Sequence, residues 1–106
     1  MATIHVTQDT IQQVLKDHPL VILDFWAEWC GPCRGFGPVF EAASEQHPDI
    51  AFGKVNVDTE SAVAGEYGIR QIPTLAVIKD GKLIKMQSGA LPAPAFEQFI
   101  QAVCNA

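Results

Sequence analysis

The chain has 106 residues, 48% of them hydrophobic, and a formal net charge of −5. That length suits one domain, spanning residues 1–106, which buries about two-thirds of its unfolded surface and needs no metal or disulfide staple to fold. The acidic balance excludes the clustered lysine and arginine that nucleic acid requires and suits an anionic membrane poorly, so it reads as ordinary solubility.

Ile4 and Val6 alternate with polar neighbours and predict a short strand. Thr7 is a candidate cap for a helix with Ile11, Val14 and Leu15 on one face, and His18-Pro19 stops it. Leu20 to Trp26 is nearly all apolar and reads as a strand covered on both faces. A second helix should open near Gly31 or Pro32, because Phe36, Val39, Phe40 and Ala43 recur at helical spacing. Pro38 falls inside that pattern and predicts a kink. After the break at His47-Pro48-Asp49, Ile50 to Val57 is a strand. Asp58 or Thr59 can cap a short helix that reaches Tyr67 and ends at Gly68. Thr74 to Lys79 and Leu83 to Gln87 are strands joined by the hairpin signal Asp80-Gly81. Phe96, Phe99, Ile100 and Val103 line one face of a closing helix that starts near Pro92 and Pro94.

The order βαβαβαββα predicts an α/β fold: a central mixed sheet of about five strands flanked by four helices. Alternating strands and helices imply a parallel core with right-handed crossovers, and the hairpin adds an antiparallel edge. Sites in such sheets form at the carboxyl ends of strands. Here the strand ending at Trp26 leads straight to Cys30.

The three cysteines, Cys30, Cys33 and Cys104, are too few and too unevenly spaced for a secreted disulfide framework. The opening residues show no basic segment followed by an apolar one, and no apolar run is long enough to span a bilayer. A reducing cytoplasm is the expected compartment, where a close cysteine pair is reactive or metal-bound more often than structural.

Cys30 and Cys33 can meet if the segment opens a helix, since positions i and i+3 are neighbours there. Pro32 suits a first turn, where its missing N–H costs nothing. Cys30 would then lie where free N–H groups and the helix dipole stabilise a thiolate, the attacking species. Cys30 is read as the nucleophile and Cys33, one turn in and more shielded, as the resolving thiol. Zinc is the competing reading, but it wants four ligands, and His5, His18 and His47 lack the spacing to complete a set. An inert structural pair is the third.

Asp24 interrupts the apolar strand, where a carboxyl stays protonated or finds a partner. It reads either as a buried proton acceptor and donor for Cys33 or as a strand-end acid reaching solvent. Lys54 is its candidate charge partner, or a solvent-facing lysine. Trp29 is a candidate docking surface and Trp26 a core residue. Arg34 either supports the thiolate or is solvated, and Cys104 reads as a semi-buried thiol without a partner.

The segment Trp29-Cys30-Gly31-Pro32-Cys33, preceded by Asp24-Phe25-Trp26-Ala27, resembles the active-site segment of the thioredoxin family. Lys54-Val55-Asn56-Val57-Asp58, Tyr67-Gly68-Ile69, Ile72-Pro73-Thr74-Leu75, Lys79-Asp80-Gly81 and Ser88-Gly89-Ala90 agree at matching spacing, so the likeness covers essentially the whole chain. A lowered thiol pKa is a general property of that family's motif. The resemblance implies a thioredoxin fold with a redox-active Cys30–Cys33 disulfide, a cis Pro73 packed on the cysteines, and Ile72 and Thr74 offering backbone to an extended substrate. Trp29, Gly31, Pro32, Ile72 and Gly89 would share the docking groove. Asp24 would be the buried acid and Lys54 its neighbour.

The implied activity is reduction of disulfides in target proteins, by a monomeric electron carrier that binds no metal or cofactor itself. The implied electron source is a thioredoxin reductase using flavin and NADPH. Gly-Pro between the cysteines resembles reducing members, whereas oxidising relatives often carry histidine there. An oxidase or isomerase, and a binding module using the fold as a docking surface, are the alternatives. One departure stands out. Arg34-Gly35-Phe36-Gly37-Pro38 places two glycines in the active-site helix, where larger apolar residues and alanine are usual. Each glycine costs about 1 kcal/mol of helix stability relative to alanine.

Overall fold

The apolar run Leu20–Trp26 needs cover on both faces and strand partners on both sides. In the computed structural model, which describes residues 2–106, it forms the middle strand of a five-stranded sheet. The elements are β1 (Thr3–His5), α1 (Ile11–Asp17), β2 (Leu20–Trp26), α2 (Gly31–Gln46), β3 (Ala51–Asn56), α3 (Ser61–Glu66), β4 (Thr74–Lys79), β5 (Lys82–Ser88) and α4 (Ala93–Cys104). This is the α/β architecture expected from the sequence, five strands and four helices in the order βαβαβαββα.

Side-chain alternation divides β2 between two cores. Val21, Leu23 and Phe25 point to one face, where Ile11 and Val14 of α1 and Val63 and Ala64 of α3 cover them. Ile22 points to the other, against Phe36 and Phe40 of α2 and Phe96 and Ile100 of α4. Phe36, Phe40, Phe52 and Phe96 meet there ring to ring at 5.1–6.4 Å.

The strand order is β1-β3-β2-β4-β5. β1, β3 and β2 run parallel, but β4 is itself antiparallel to β2, so the antiparallel part of the sheet is larger than the hairpin edge expected from sequence. The difference lies in the path of the β3–β4 connection. Its helix, Ser61–Glu66, and the turns around it run across the carboxyl edge of the sheet and do not return to the other end. The connection therefore stays at one end, and β4 starts with Thr74 opposite Phe25 near the carboxyl end of β2. This places Ile72-Pro73 beside the loop that holds Cys30.

Helix starts differ from the sequence reading. The N-cap position of α1 is Thr10, whose side chain makes no capping bond, while Thr7 contributes its carbonyl to the N–H groups of Thr10 and Ile11. α3 begins after Glu60, whose N–H donates to the Asn56 carbonyl. Asp58 and Thr59 form the preceding turn, and the Asp58 carboxylate is engaged elsewhere. α2 continues through Pro38 to Gln46, and the proline removes the hydrogen bond that the Arg34 carbonyl would accept. Asp80 and Gly81 have φ of 51° and 81°, the pair of left-handed residues that a type I′ hairpin demands.

Two sets of glycines give opposite expectations. A Cβ on Gly53 would lie 2.7 Å from Val6 Cγ2 and 2.9 Å from Leu23 Cδ2. Gly53→Ala should therefore cost about 1–3 kcal/mol through overpacking, read as a lower urea midpoint. Gly35 and Gly37 have open space where a Cβ would stand. Gly35→Ala should add about 1 kcal/mol from helix propensity, and Gly37→Ala somewhat less, because a residue before proline is strained in helical conformation. Unchanged midpoints in urea would refute the propensity argument.

Candidate active site

β2 delivers the chain to α2 at the carboxyl edge of the sheet, and the turn between them ends on Cys30. Cys30 is the N-cap residue of α2, extended at φ −90° and ψ 111°, with Gly31 and Pro32 as the first helical residues. Proline there sacrifices an N–H that the helix could not use. The Cys33 N–H, one of the orphan donors of the first turn, points at Cys30 Sγ at 3.2 Å. The two sulfurs are joined as a disulfide, with Cα atoms 5.2 Å apart. When the bond opens, the N–H and the helix dipole already face the sulfur that must carry negative charge.

The contrast in shielding expected between the cysteines is small: Cys30 is 5% exposed and Cys33 4%. Both sit in an apolar nest with Ala27, Trp26, Val57 and Ile72. Arg34 is exposed, and its guanidinium donates to the Glu28 carbonyl at 2.8 Å.

The rim of the site comes from three loops. Trp29 stands 67% exposed. Its indole N–H donates to the Asp58 carboxylate at 2.9 Å. That bond makes Asp58 an anchor for the tryptophan, a role the sequence reading missed by treating it as a helix cap. Its position in the turn just after β3, at the same carboxyl edge of the sheet as Cys30, was the available signal. Ile72-Pro73 is a cis peptide bond, and the Ile72 carbonyl lies 3.9 Å from Cys30 Sγ. The Gly89 N–H donates to the Pro73 carbonyl at 2.9 Å, which tethers the β5 end to the same edge. Gly89 has a φ of 97°, a conformation that glycine adopts without strain. Gly31, Pro32 and Gly89 are exposed and Ile72 half-buried, so all can meet a partner. Thr74 is different. It is buried, has strand partners Phe25 and Ser88 on both sides, and donates its hydroxyl to the Gln71 carbonyl. Trp29, Val57, Ile69, Arg70, Gln71 and Ile72 line a cavity of about 370 Å³ beside the disulfide.

Asp24 lies on β2, on the face that Ile22 turns toward α2, two residues before Trp26, and is 1% exposed. Burial pushes its carboxyl up to about 7 against the lowering pull of Lys54. Oδ1 has no hydrogen-bond partner. Asp24 is thus a core acid, not a strand-end group reaching solvent. Lys54 is its cross-strand neighbour on β3 and is half-buried. Its ammonium does not ion-pair with Asp24 but sits over the Trp26 ring, 4.6 Å from the centroid.

Cys104 lies apart and is exposed, where sequence reading placed a semi-buried thiol. Phe96, Ile100 and Val103 form the buried stripe of α4, and position 104 falls about 100° past Val103, off that stripe. Among the described residues, no group of three or more histidine, cysteine or acidic side chains could hold a metal ion. No helix among them is long and apolar enough to cross a membrane.

Comparison with known proteins agrees with this geometry. The family model described as Thioredoxin matches residues 2–102. A putative thioredoxin 2 of Streptomyces coelicolor is 42% identical over 99 residues, covering 93% of this chain and 74% of the relative. A thioredoxin of Streptomyces clavuligerus is 46% identical over 92 residues, covering 86% of each. Among solved structures, a mutant thioredoxin from Halobacterium salinarum superposes with a TM-score of 0.88 at 36% identity, covering 94% of this chain and 88% of that one. Plasmodium falciparum thioredoxin gives the same TM-score and identity, with 94% and 98% covered.

Proposed function

The chain belongs to the thioredoxin family, and we propose that its dithiol works in the reducing direction, recharged by a thioredoxin reductase that uses flavin and NADPH. The activity itself is that of a thiol–disulfide oxidoreductase, a protein-disulfide reductase acting on disulfide-containing targets. The observation that carries the reading is the Cys33 N–H aimed at Cys30 Sγ from the mouth of α2.

The chemistry balances without a bound cofactor. The Cys30 thiolate attacks one sulfur of a target disulfide, forming a mixed disulfide and releasing the other target sulfur as a thiolate. Cys33 gives its proton to the Asp24 carboxylate and attacks Cys30 Sγ. That closes the Cys30–Cys33 bond and expels the second target thiolate, which takes up the proton held by Asp24, while the first takes from solvent the proton that Cys30 lost on ionising. The target gains two electrons and two protons, and the chain is left as the disulfide. The reductase then returns the electrons, so NADPH and flavin belong to that partner. In this reading the chain serves as a cytoplasmic monomer. Trp29, Ile72 and Gly89 seat an extended target segment across the sulfurs.

The test is insulin-disulfide reduction with NADPH and a thioredoxin reductase, beside a run with the chain reduced chemically. NADPH consumption that requires this chain is the expected result. Reduction of insulin by the chemically reduced chain alone, with no NADPH consumed in the coupled assay, would overturn the reductase assignment and leave the disulfide chemistry standing. The reduction potential separates directions: about −270 mV, the value general to thioredoxins, fits a reductant, and about −120 mV fits an oxidant.

A further inference from the structure

We propose that the indole ring of Trp26 is a positioning group for the proton relay, holding the Lys54 ammonium on its π face and out of contact with the Asp24 carboxyl. The proposal rests on the reading of Asp24 as the proton acceptor for Cys33. Its evidence is geometric. Asp24 and Lys54 are directly opposed across β2 and β3, close enough for an ion pair on a flexible four-carbon stem. Trp26 lies two residues beyond Asp24, on the same face of β2. Lys54 Nζ takes the ring, at 4.6 Å from its centroid, and Asp24 Oδ1 stays buried and unpartnered. The indole N–H is also buried without a partner. No hydrogen bond from that N–H therefore fixes the ring, which is placed by packing against Cys30 and Cys33 and by the cation above it.

The choice between ring and carboxyl matters for the chemistry. An ammonium in contact would favour the ionised acid strongly, because little water screens a buried pair. Asp24 would then release its proton well below neutral pH and be a weak base toward Cys33. A cation held on an aromatic face keeps its own stabilisation and acts on the acid only from a distance. Lys54 is the charged side chain that faces Asp24 from β3. β4 opposes it with Leu75. α2 brings Cys30 and Cys33, joined here as a disulfide, while Arg34 turns outward to Glu28.

The test follows the Asp24 carboxyl carbon by NMR across pH in the oxidised protein, in the wild type and in Trp26→Leu, Trp26→Phe, Lys54→Met and the Trp26→Leu/Lys54→Met double variant. Trp26→Leu should raise the acid ionisation constant about threefold to tenfold, as the freed ammonium closes on the carboxyl. Trp26→Phe, which keeps an aromatic face, should stay nearer the wild type. In the Lys54→Met background, Trp26→Leu should lower the midpoint little. An equal lowering in both backgrounds would mean that removing the indole merely hydrates the acid, and would overturn the proposal. So would no lowering at all. Should the leucine variant not fold, the wild type decides: the Lys54 ε-methylene protons are expected upfield, shifted by the ring current, and ordinary lysine values would refute the contact. Failure of the relay reading is distinct. It would appear as an Asp24→Asn protein whose thiol-exchange rate keeps the wild-type pH profile, whatever the ring does to the carboxyl.

Discussion

Cys30→Ser should abolish disulfide reduction, whereas Cys33→Ser should still attack a target disulfide and then stop with the target held covalently at position 30. The difference follows from the helix. Cys30 is the N-cap, and a first-turn N–H faces its sulfur. A serine oxygen there is a poor nucleophile toward sulfur, so turnover should fall by roughly a thousandfold or more. Cys33 stands one turn in and 5.2 Å away by Cα. The first-turn N–H faces the Cys30 sulfur and not its own, so Cys33 is assigned the second step, on the sulfur that Cys30 has already engaged. Its loss leaves the first step intact and removes the second. Mass spectrometry should find an adduct that dithiothreitol releases. Full turnover by Cys33→Ser, with no adduct, would defeat the assignment of roles.

Cys104 supplies an internal control for the reactivity on which this depends. It is free and exposed. Partial desolvation, then the charges of Asp49 and Glu97, hold its thiol above the usual value. In the reduced wild type at about pH 6.5, iodoacetamide should label Cys30 well before Cys104. Equal rates would mean that the helix mouth confers no thiolate character.

The sequence announced those parts of the molecule where one local rule decides the outcome. Leu20–Trp26 is a strand because nothing else can hide so continuous an apolar run. Asp80-Gly81 turns because two left-handed residues are wanted there. Cys30 stands at the mouth of α2 because proline two residues later costs nothing in a first turn. What stayed hidden depends on distance along the chain. The direction of β4 is set by its pairing with β2, not by any signal within Thr74–Lys79. Asp58 looks like a helix cap to any local reading, and it becomes an anchor only because Trp29 arrives from another strand end. Lys54 shows the same limit. Sequence pairs it with Asp24 by charge, but the sheet sets Trp26 within equal reach, and the ring holds it. The motif resemblance supplied the cis bond at Pro73, which proline alone predicts in only about one case in twenty.

Asp24→Asn should make the protein more stable at alkaline pH and a slower reductase at neutral pH. Stability comes first. The carboxyl ionises near 3.8 in a solvated chain and at about 7 in the fold, so between those values the folded state binds the extra proton. Stability of the wild type must therefore decline as pH rises from about 4 to about 7, and the full loss is present above that. At roughly 1.4 kcal/mol for each unit, the displacement amounts to about 4 kcal/mol. Asparagine carries no charge to bury, and it returns part of that gain because its amide is no better partnered than Oδ1. Urea midpoints at about pH 8 should favour the variant by a few kcal/mol, with the advantage shrinking toward about pH 4. Activity runs the other way. Without a nearby base, Cys33 must lose its proton to water, so resolution of the mixed disulfide should slow about a hundredfold near neutrality. The deficit should narrow as pH passes the ordinary thiol range, about 8.5, where Cys33 ionises unaided. A variant stabilised equally at every pH would show that Asp24 is not held protonated by burial. One stabilised as expected but unimpaired in turnover would make the buried acid a structural burden with no part in the exchange.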